Sequence, residues 1–172
     1  YRKTEFFEVP EFKNIEINWI SGFSWFSLLV TKDHRVFFHG DSSYAPFMVE
    51  TNGVDPCKNF VQMHDFDGLG IDKAFVGTCH SLFINYEGKL YGLGCNSHGY
   101  LLLASGPCDT IFGKPVETSV NDAAFVALDS HATALFRNYI PPKSPNNKII
   151  LDTIISAAPI PSEFNSNVSL LK

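Results

Sequence analysis

Short apolar runs recur along this chain, each closed by a polar turn. Ile15-Glu16-Ile17-Asn18-Trp19-Ile20 alternates apolar and polar residues, the period of a half-buried strand. Phe26-Ser27-Leu28-Leu29-Val30 follows as a small, nearly continuous apolar run. The polar residues Lys32-Asp33-His34 then separate it from Val36-Phe37-Phe38-His39-Gly40. The same succession returns roughly fifty residues later. Lys73-Ala74-Phe75-Val76 leads to His80-Ser81-Leu82-Phe83-Ile84, then to the turn Tyr86-Glu87-Gly88, then to Lys89-Leu90-Tyr91-Gly92-Leu93-Gly94. A third copy starts at Ala123-Ala124-Phe125-Val126-Ala127 and aligns His131-Ala132-Thr133-Ala134-Leu135 with His80 to Ile84. Gly22 precedes the first hairpin as Gly77 precedes the second, and Gly40 closes the first as Gly94 closes the second. Tight turns favour Gly and Asp because they often need positive φ, which fits Asp33 and Gly88. Ahead of the inner strands, Val9-Pro10-Glu11 aligns with Pro115-Val116-Glu117.

A repeat of this length built from short strands and turns predicts propeller blades or a similar array. No long window carries helical spacing; the best, Ile149 to Ala158, has Ile pairs that suit a strand equally. The fold class expected is all-β, a partial β-propeller of about three antiparallel blades. Residues 1–136 hold the repeats, with blade boundaries near 22, 77 and 129, and residues 137–172 form a degenerate further blade or capping tail. There the second hairpin strand of the third copy is displaced by Tyr139-Ile140-Pro141-Pro142-Lys143-Ser144-Pro145, and Lys148-Ile149-Ile150-Leu151 is that strand postponed. Asn165 to Leu171 opens a fourth copy.

The densest copy runs Gly77-Thr78-Cys79-His80-Ser81-Leu82-Phe83-Ile84 and then Glu87-Gly88-Lys89-Leu90-Tyr91-Gly92-Leu93-Gly94-Cys95-Asn96-Ser97-His98-Gly99-Tyr100-Leu101. It resembles the signature of the regulator of chromosome condensation repeat family: a glycine, His-Ser/Thr before an apolar strand, a glycine turn, then Trp-Gly-x-Asn-x-x-Gly-Gln-Leu-Gly. Gly94, Asn96, Gly99 and Leu101 match the last motif, while Leu93, Tyr100 and Leu102 stand for its Trp, Gln and final Gly. The first copy has Phe26 for the His and His39-Gly40-Asp41-Ser42 for Trp-Gly-x-Asn, and the third has Leu128-Asp129 where Gly is usual. The motif residues Gly22, Gly40, Gly77, His80, Gly88, Gly94, Asn96, Gly99 and His131 are read as architectural. Glycines allow turns that a Cβ opposes, Asn96 suits an Asx-type turn, and His80 ties neighbouring segments by a hydrogen bond.

The resemblance implies a closed seven-bladed ring of four-stranded blades. Three blades then imply a fragment, the ring being completed by missing residues or by another chain. It also implies a non-catalytic protein-protein interaction scaffold. The alternative it carries is guanine-nucleotide exchange on a small GTPase, the activity of the family's founding members. No catalytic, cofactor or metal residue is assigned.

Composition narrows this further. The chain has 172 residues, with 45 % hydrophobic and 18 % charged residues, and sixteen Phe that favour pleated, half-buried surfaces. Net charge is −5 and the basic residues are scattered, so no nucleic-acid footprint stands out, and basic protein partners are favoured. No run is apolar enough over the roughly 18 residues of a membrane span. Cys57, Cys79, Cys95 and Cys108 suit free thiols better than a disulfide framework, which predicts a cytoplasmic or nuclear location. Gly92-Leu93-Gly94-Cys95-Asn96-Ser97-His98-Gly99 has its last Gly one place late for a dinucleotide loop, and no helix follows. Cys79, His80, Cys95 and His98 lack the paired Cys of a zinc site. Asp65, Asp67 and Asp72 lack the terminal Glu of a calcium loop and read as a solvated segment. The apolar residues between Asp41 and Gly70 are expected to pack as outer strands, those left exposed forming a partner patch.

Overall fold

The computed structural model describes residues 8–42, 49–103, 110–129, 133–137 and 155–156. Its strands assemble into separate antiparallel sheets, one per repeat. In the first, β1 (Ile17–Phe23), β2 (Phe26–Thr31), β3 (Val36–Gly40) and β4 (Val61–Gln62) lie in chain order. The second has β5 (Ile71–Val76), β6 (His80–Asn85), β7 (Lys89–Cys95) and β8 (Ile111–Asn121), again in order. In the third, β9 (Ala123–Leu128) pairs with β10 (Thr133–Arg137), which pairs with β11 (Ile155–Ser156). Up-and-down sheets ordered from an inner to an outer strand are propeller blades, and the chain is an arc of them.

The first two blades agree residue by residue. Ile17 pairs with Thr31 as Ile71 pairs with Asn85, and the same irregularity follows each, between Ile17 and Trp19 and between Ile71 and Lys73. Phe26 faces Gly40 as His80 faces Gly94. His34 and Gly88 occupy the same turn with φ of 66° and 83°, a conformation that costs a non-glycine residue about 1 kcal/mol or more.

Alternation along the strands explains how blades stack. Leu28 and Val30 of β2 point to one side, with Phe26, Val36 and Phe38; Ile71, Ala74, Val76, Phe83, Tyr91 and Leu93 of the second blade meet them in one core. The other side of the second blade offers Phe75, Leu82, Ile84 and Leu90 to Ala123, Val126 and Leu135 of the third. Each such side chain contributes roughly 1.5–3 kcal/mol when fully buried. The core therefore lies between sheets, and each blade needs a neighbour.

Polar links repeat beside these cores. The Asn18 amide donates to the Asp72 backbone carbonyl at 2.8 Å and to its carboxylate at 2.6 Å. Lys73 Nζ donates to the Ala124 carbonyl at 2.9 Å, so successive inner strands are tied in series. His34 Nδ1 lies 3.0 Å from the Ile71 carbonyl, which requires the proton on that nitrogen. In the next blade the Gly88 carbonyl accepts from the N–H groups of Asp122 and Ala123 instead.

Several expectations need adjustment. The β9–β10 register sets Thr133 opposite Leu128, as Ser81 is set opposite Val76. Ser81 therefore stands level with Thr133, whereas the sequence comparison aligned it with Ala132; apolar runs alone do not fix register to one residue. Val9-Pro10-Glu11 does not match Pro115-Val116-Glu117: Pro10–Phe12 is a 3-10 turn, and Pro115–Glu117 lies inside β8. Pro at the start of that turn suits its fixed φ. The window from Ile149 to Ala158 contains the strand β11, and Lys148–Leu151, His131 and Asn165–Leu171 lie outside the described residues.

Candidate functional site

The best-defined polar site sits where the second blade meets the third. His80 opens β6 and is fully buried. Its Nε2 is 3.0 Å from Thr133 Oγ1, and the Thr133 hydroxyl donates to the Tyr100 carbonyl at 3.0 Å. A hydroxyl has one proton, so with that proton on Tyr100, Thr133 accepts from His80, and Nε2 carries the hydrogen. Nδ1 is then the bare nitrogen, 3.9 Å from the Cys79 sulfur. The Tyr100 ring stacks on the imidazole at 5.1 Å between centroids and 18° between planes. Burial pushes the His80 pKa down to about 4, so the ring is neutral at physiological pH.

The segment after β7 builds the other half of this site. Asn96 is buried and its side-chain oxygen accepts from the Leu101 N–H at 3.1 Å, while the Gly99 N–H donates to the Asn96 carbonyl at 2.9 Å. Gly94 and Gly99 have φ of 100° and 79°. This curl brings Leu101 onto Gly92, where a Cβ would lie 3.0 Å from the Leu101 Cβ, and brings Tyr100 onto His80. Gly77 donates its N–H to the His80 carbonyl at 2.8 Å, and an added Cβ there would meet His80 and the Asp129 carbonyl within 3.2 Å. Gly22 lies beside Ser27 in the first hairpin, and Gly40, with φ of 133°, lies against Trp25 and Phe26. The sequence-selected residues other than His131, which lies outside the described residues, fall at turns and blade contacts; of these described residues only His80 and Asn96 place a functional group in a buried hydrogen-bond network.

Among the described residues no group of three His, Cys, Asp or Glu could hold an ion. Asp65 pairs with Lys114 at 3.0 Å, Asp67 with His64 at 2.8 Å, and Asp72 with Asn18. Cys79 and Cys95 are half-buried rather than fully enclosed, and Cys57 is exposed. Sequence reasoning missed Thr133, Tyr100 and the Asn18–Asp72 link, because each works through a partner in another blade.

The blade ends differ. Short turns at Lys32–Arg35 and Tyr86–Gly88 occupy one end. The β1–β2 and β5–β6 turns share the other with the long connections that leave β3 and β7. At that end Trp25 is 58 % exposed, and Phe23, Val54 and Ile111 are exposed as well. Gly22 to Ser27 with His39 and Gly40 line a shallow open depression there. Between β3 and β5, Val61, Met63 and Phe66 are buried and Val49 packs on the core, so these four are structural, and positions 43–48 lie outside the described residues.

Blades of this order and pairing define an arc of a β-propeller. Among solved structures, the chain is similar to Prp20p of Saccharomyces cerevisiae, reported with its binding to Gsp1p and histones, with a TM-score of 0.62 at 17 % identity over 76 % of this chain and 31 % of that one. It is similar to the same yeast protein bound to Kap60, with a TM-score of 0.60 at 16 % identity over 76 % of this chain and 30 % of that one. Human WBSCR16 gives a TM-score of 0.55 at 24 % identity over 72 % of this chain and 32 % of that one. The chain spans about a third of the length of these structures. No protein-family model and no curated protein matches the sequence. Among the described residues, no helix is long and apolar enough to cross a membrane.

Proposed function

We propose that this chain is an arc of a larger propeller serving as a non-catalytic protein-interaction scaffold in the cytoplasm or nucleus. The observation that carries the reading is Trp25, held at the tip of a tight turn and 58 % exposed, on the end where the long connections gather. The Trp25 carbonyl accepts from the Asp41 N–H at 3.1 Å, which fixes the turn against the segment leaving β3. A large aromatic on a rigid turn is the kind of residue that anchors interfaces. Missing residues or a second chain complete the ring, since each blade buries its apolar side against a neighbour. In this reading the residues around His80 hold blades together and take no part in chemistry.

The test places a photo-crosslinking residue at position 25 of the full-length protein, and at Tyr86 on the opposite end, 66 % exposed, as a comparison. A partner captured from position 25, not from 86, that co-purifies with the wild type and is lost from Trp25→Ala supports the reading. Equal capture at both ends, or none lost in the variant, overturns it.

A second reading, guanine-nucleotide exchange on a small GTPase, draws support from the fold likeness to Prp20p. It assigns no residue of this chain. Release of labelled guanine nucleotide from candidate GTPases by the full-length protein measures it directly.

A further inference from the structure

We propose that Cys79 and Cys95 form a reversible cross-strand disulfide, a thiol modification site at the base of the segment leaving β7. Cys95 N–H donates to the Cys79 carbonyl at 2.8 Å, one step beyond the His80–Gly94 pair, so the two residues stand opposite each other. A hydrogen-bonded antiparallel pair has its Cα atoms about 5.5 Å apart, within the roughly 4.4–6.8 Å a disulfide spans. The thiols sense each other: Cys79 is pushed up to about 11 by burial, then by the charge and hydrogen bond of Cys95. Both are half-buried, so a small oxidant reaches them.

Their surroundings assign the order of reaction. The Cys95 sulfur accepts from the Ser97 N–H at 3.4 Å and lies 2.9 Å from the Ser97 hydroxyl. Burial, and then the neighbouring Cys95, disfavour a thiolate at Cys79, so Cys95 is the attacking sulfur. Cys79, disfavoured as a thiolate, also lies 3.9 Å from the bare Nδ1 of His80. With a low-molecular-weight disulfide such as oxidised glutathione, the Cys95 thiolate attacks one sulfur. The S–S bond breaks, and one glutathione leaves as a thiolate that takes up a proton. Cys79 then loses its proton to solvent, attacks the Cys95 sulfur of the mixed disulfide, and expels the second glutathione as a thiolate that is protonated in turn. The two cysteines lose two electrons together, and one glutathione disulfide becomes two thiols.

The bond would staple β6 to β7 beside Tyr100 and the His80–Thr133 link, at the end of the blades proposed to bind partners. Any effect on partners rests on that proposal; the bond itself does not. The experiment oxidises the full chain with glutathione disulfide, blocks remaining thiols, and maps peptides by mass spectrometry. A Cys79–Cys95 linked peptide, reversed by dithiothreitol, is expected in the wild type and in Cys57→Ser/Cys108→Ser. In Cys79→Ser, a glutathione adduct should accumulate on Cys95 at least tenfold faster than on Cys79 in Cys95→Ser. Both thiols remaining free after oxidation, linkage chiefly to Cys57 or Cys108, or equal adduct rates in the two single variants would overturn the proposal. The peptide map reads the bond whether or not a partner is found, so failure of the scaffold reading is seen separately.

Discussion

The first and second blades put different side chains at the same position and reach the same end. Phe26 and His80 each open the second strand, each faces a glycine of positive φ, and each is almost fully buried. Phe26 stacks on Phe38 at 5.4 Å and joins the apolar core between the first two blades. His80 instead reaches across to Thr133 and stacks on Tyr100. An apolar ring needs only volume, and any neighbour of the right shape will do. A buried imidazole needs named partners, because a donor left unpaired costs about 1–3 kcal/mol. The polar version therefore specifies which segment comes next, and the apolar version does not.

The largest effects should come from what the two blades share. Phe83 is fully buried between them and meets Phe66 at 4.3 Å between ring centroids. Phe83→Ala should destabilise by about 3–5 kcal/mol, read from the urea midpoint at constant slope. Gly40→Ala should cost about 3 kcal/mol, since φ is 133° and the new Cβ would sit 2.4 Å from the Trp25 carbonyl. Gly113→Ala is the control: nothing lies within 4 Å of a Cβ there, so its midpoint should move by less than about 0.5 kcal/mol. If both glycine variants behave alike, the tight turn shared by the blades is not a constraint.

The next prediction separates the blades by pH. His80 titrates at about 4 in the fold because burial disfavours its cation, against an ordinary 6.5. The unfolded chain thus binds a proton that the folded one refuses between those values. Its neutral form supports the fold fully above about pH 6.5, and the support falls away as pH drops towards 4, by roughly 3 kcal/mol in all. His80→Phe copies the first blade at this position. The variant should lose stability less steeply than the wild type over that range, by denaturant melts at several pH values. Parallel curves would show that His80 is protonated without penalty.

How far the sequence exposed these differences depends on distance along the chain. Local signals were readable in part: the alternation of Ile15 to Ile20 marks β1, and Gly88 has the positive φ expected of its turn, whereas in the first turn it falls on His34 and not on Asp33. Hairpins declare themselves because their two strands are neighbours in sequence. Contacts between blades did not. Lys73 reaching Ala124, or Asn18 reaching Asp72, joins residues that no local pattern relates. Tyr100 was visible only as a departure from the repeat's Gln, yet its ring covers His80. The third copy shows the same limit, since an apolar run reads almost equally well when shifted by one residue.

The smallest effect tests how specific the polar bridge is. Thr133→Val keeps shape and removes the hydroxyl that links His80 to the Tyr100 carbonyl. The buried His80 Nε2 hydrogen then loses its acceptor and the Tyr100 carbonyl loses this donor, and a net loss of about 1–2 kcal/mol is expected. In a His80→Phe background the imidazole no longer needs the hydroxyl, and only the Tyr100 carbonyl loses a partner. The same Thr133 substitution should then cost less, by about 1 kcal/mol. That difference, measured by a double-mutant cycle in urea, isolates the coupling between the second and third blades. A cycle that closes with no coupling would mean that His80 holds its place through the stack on Tyr100, as Phe26 holds its own against Phe38, and that the two blades differ in chemistry but not in how they choose a neighbour.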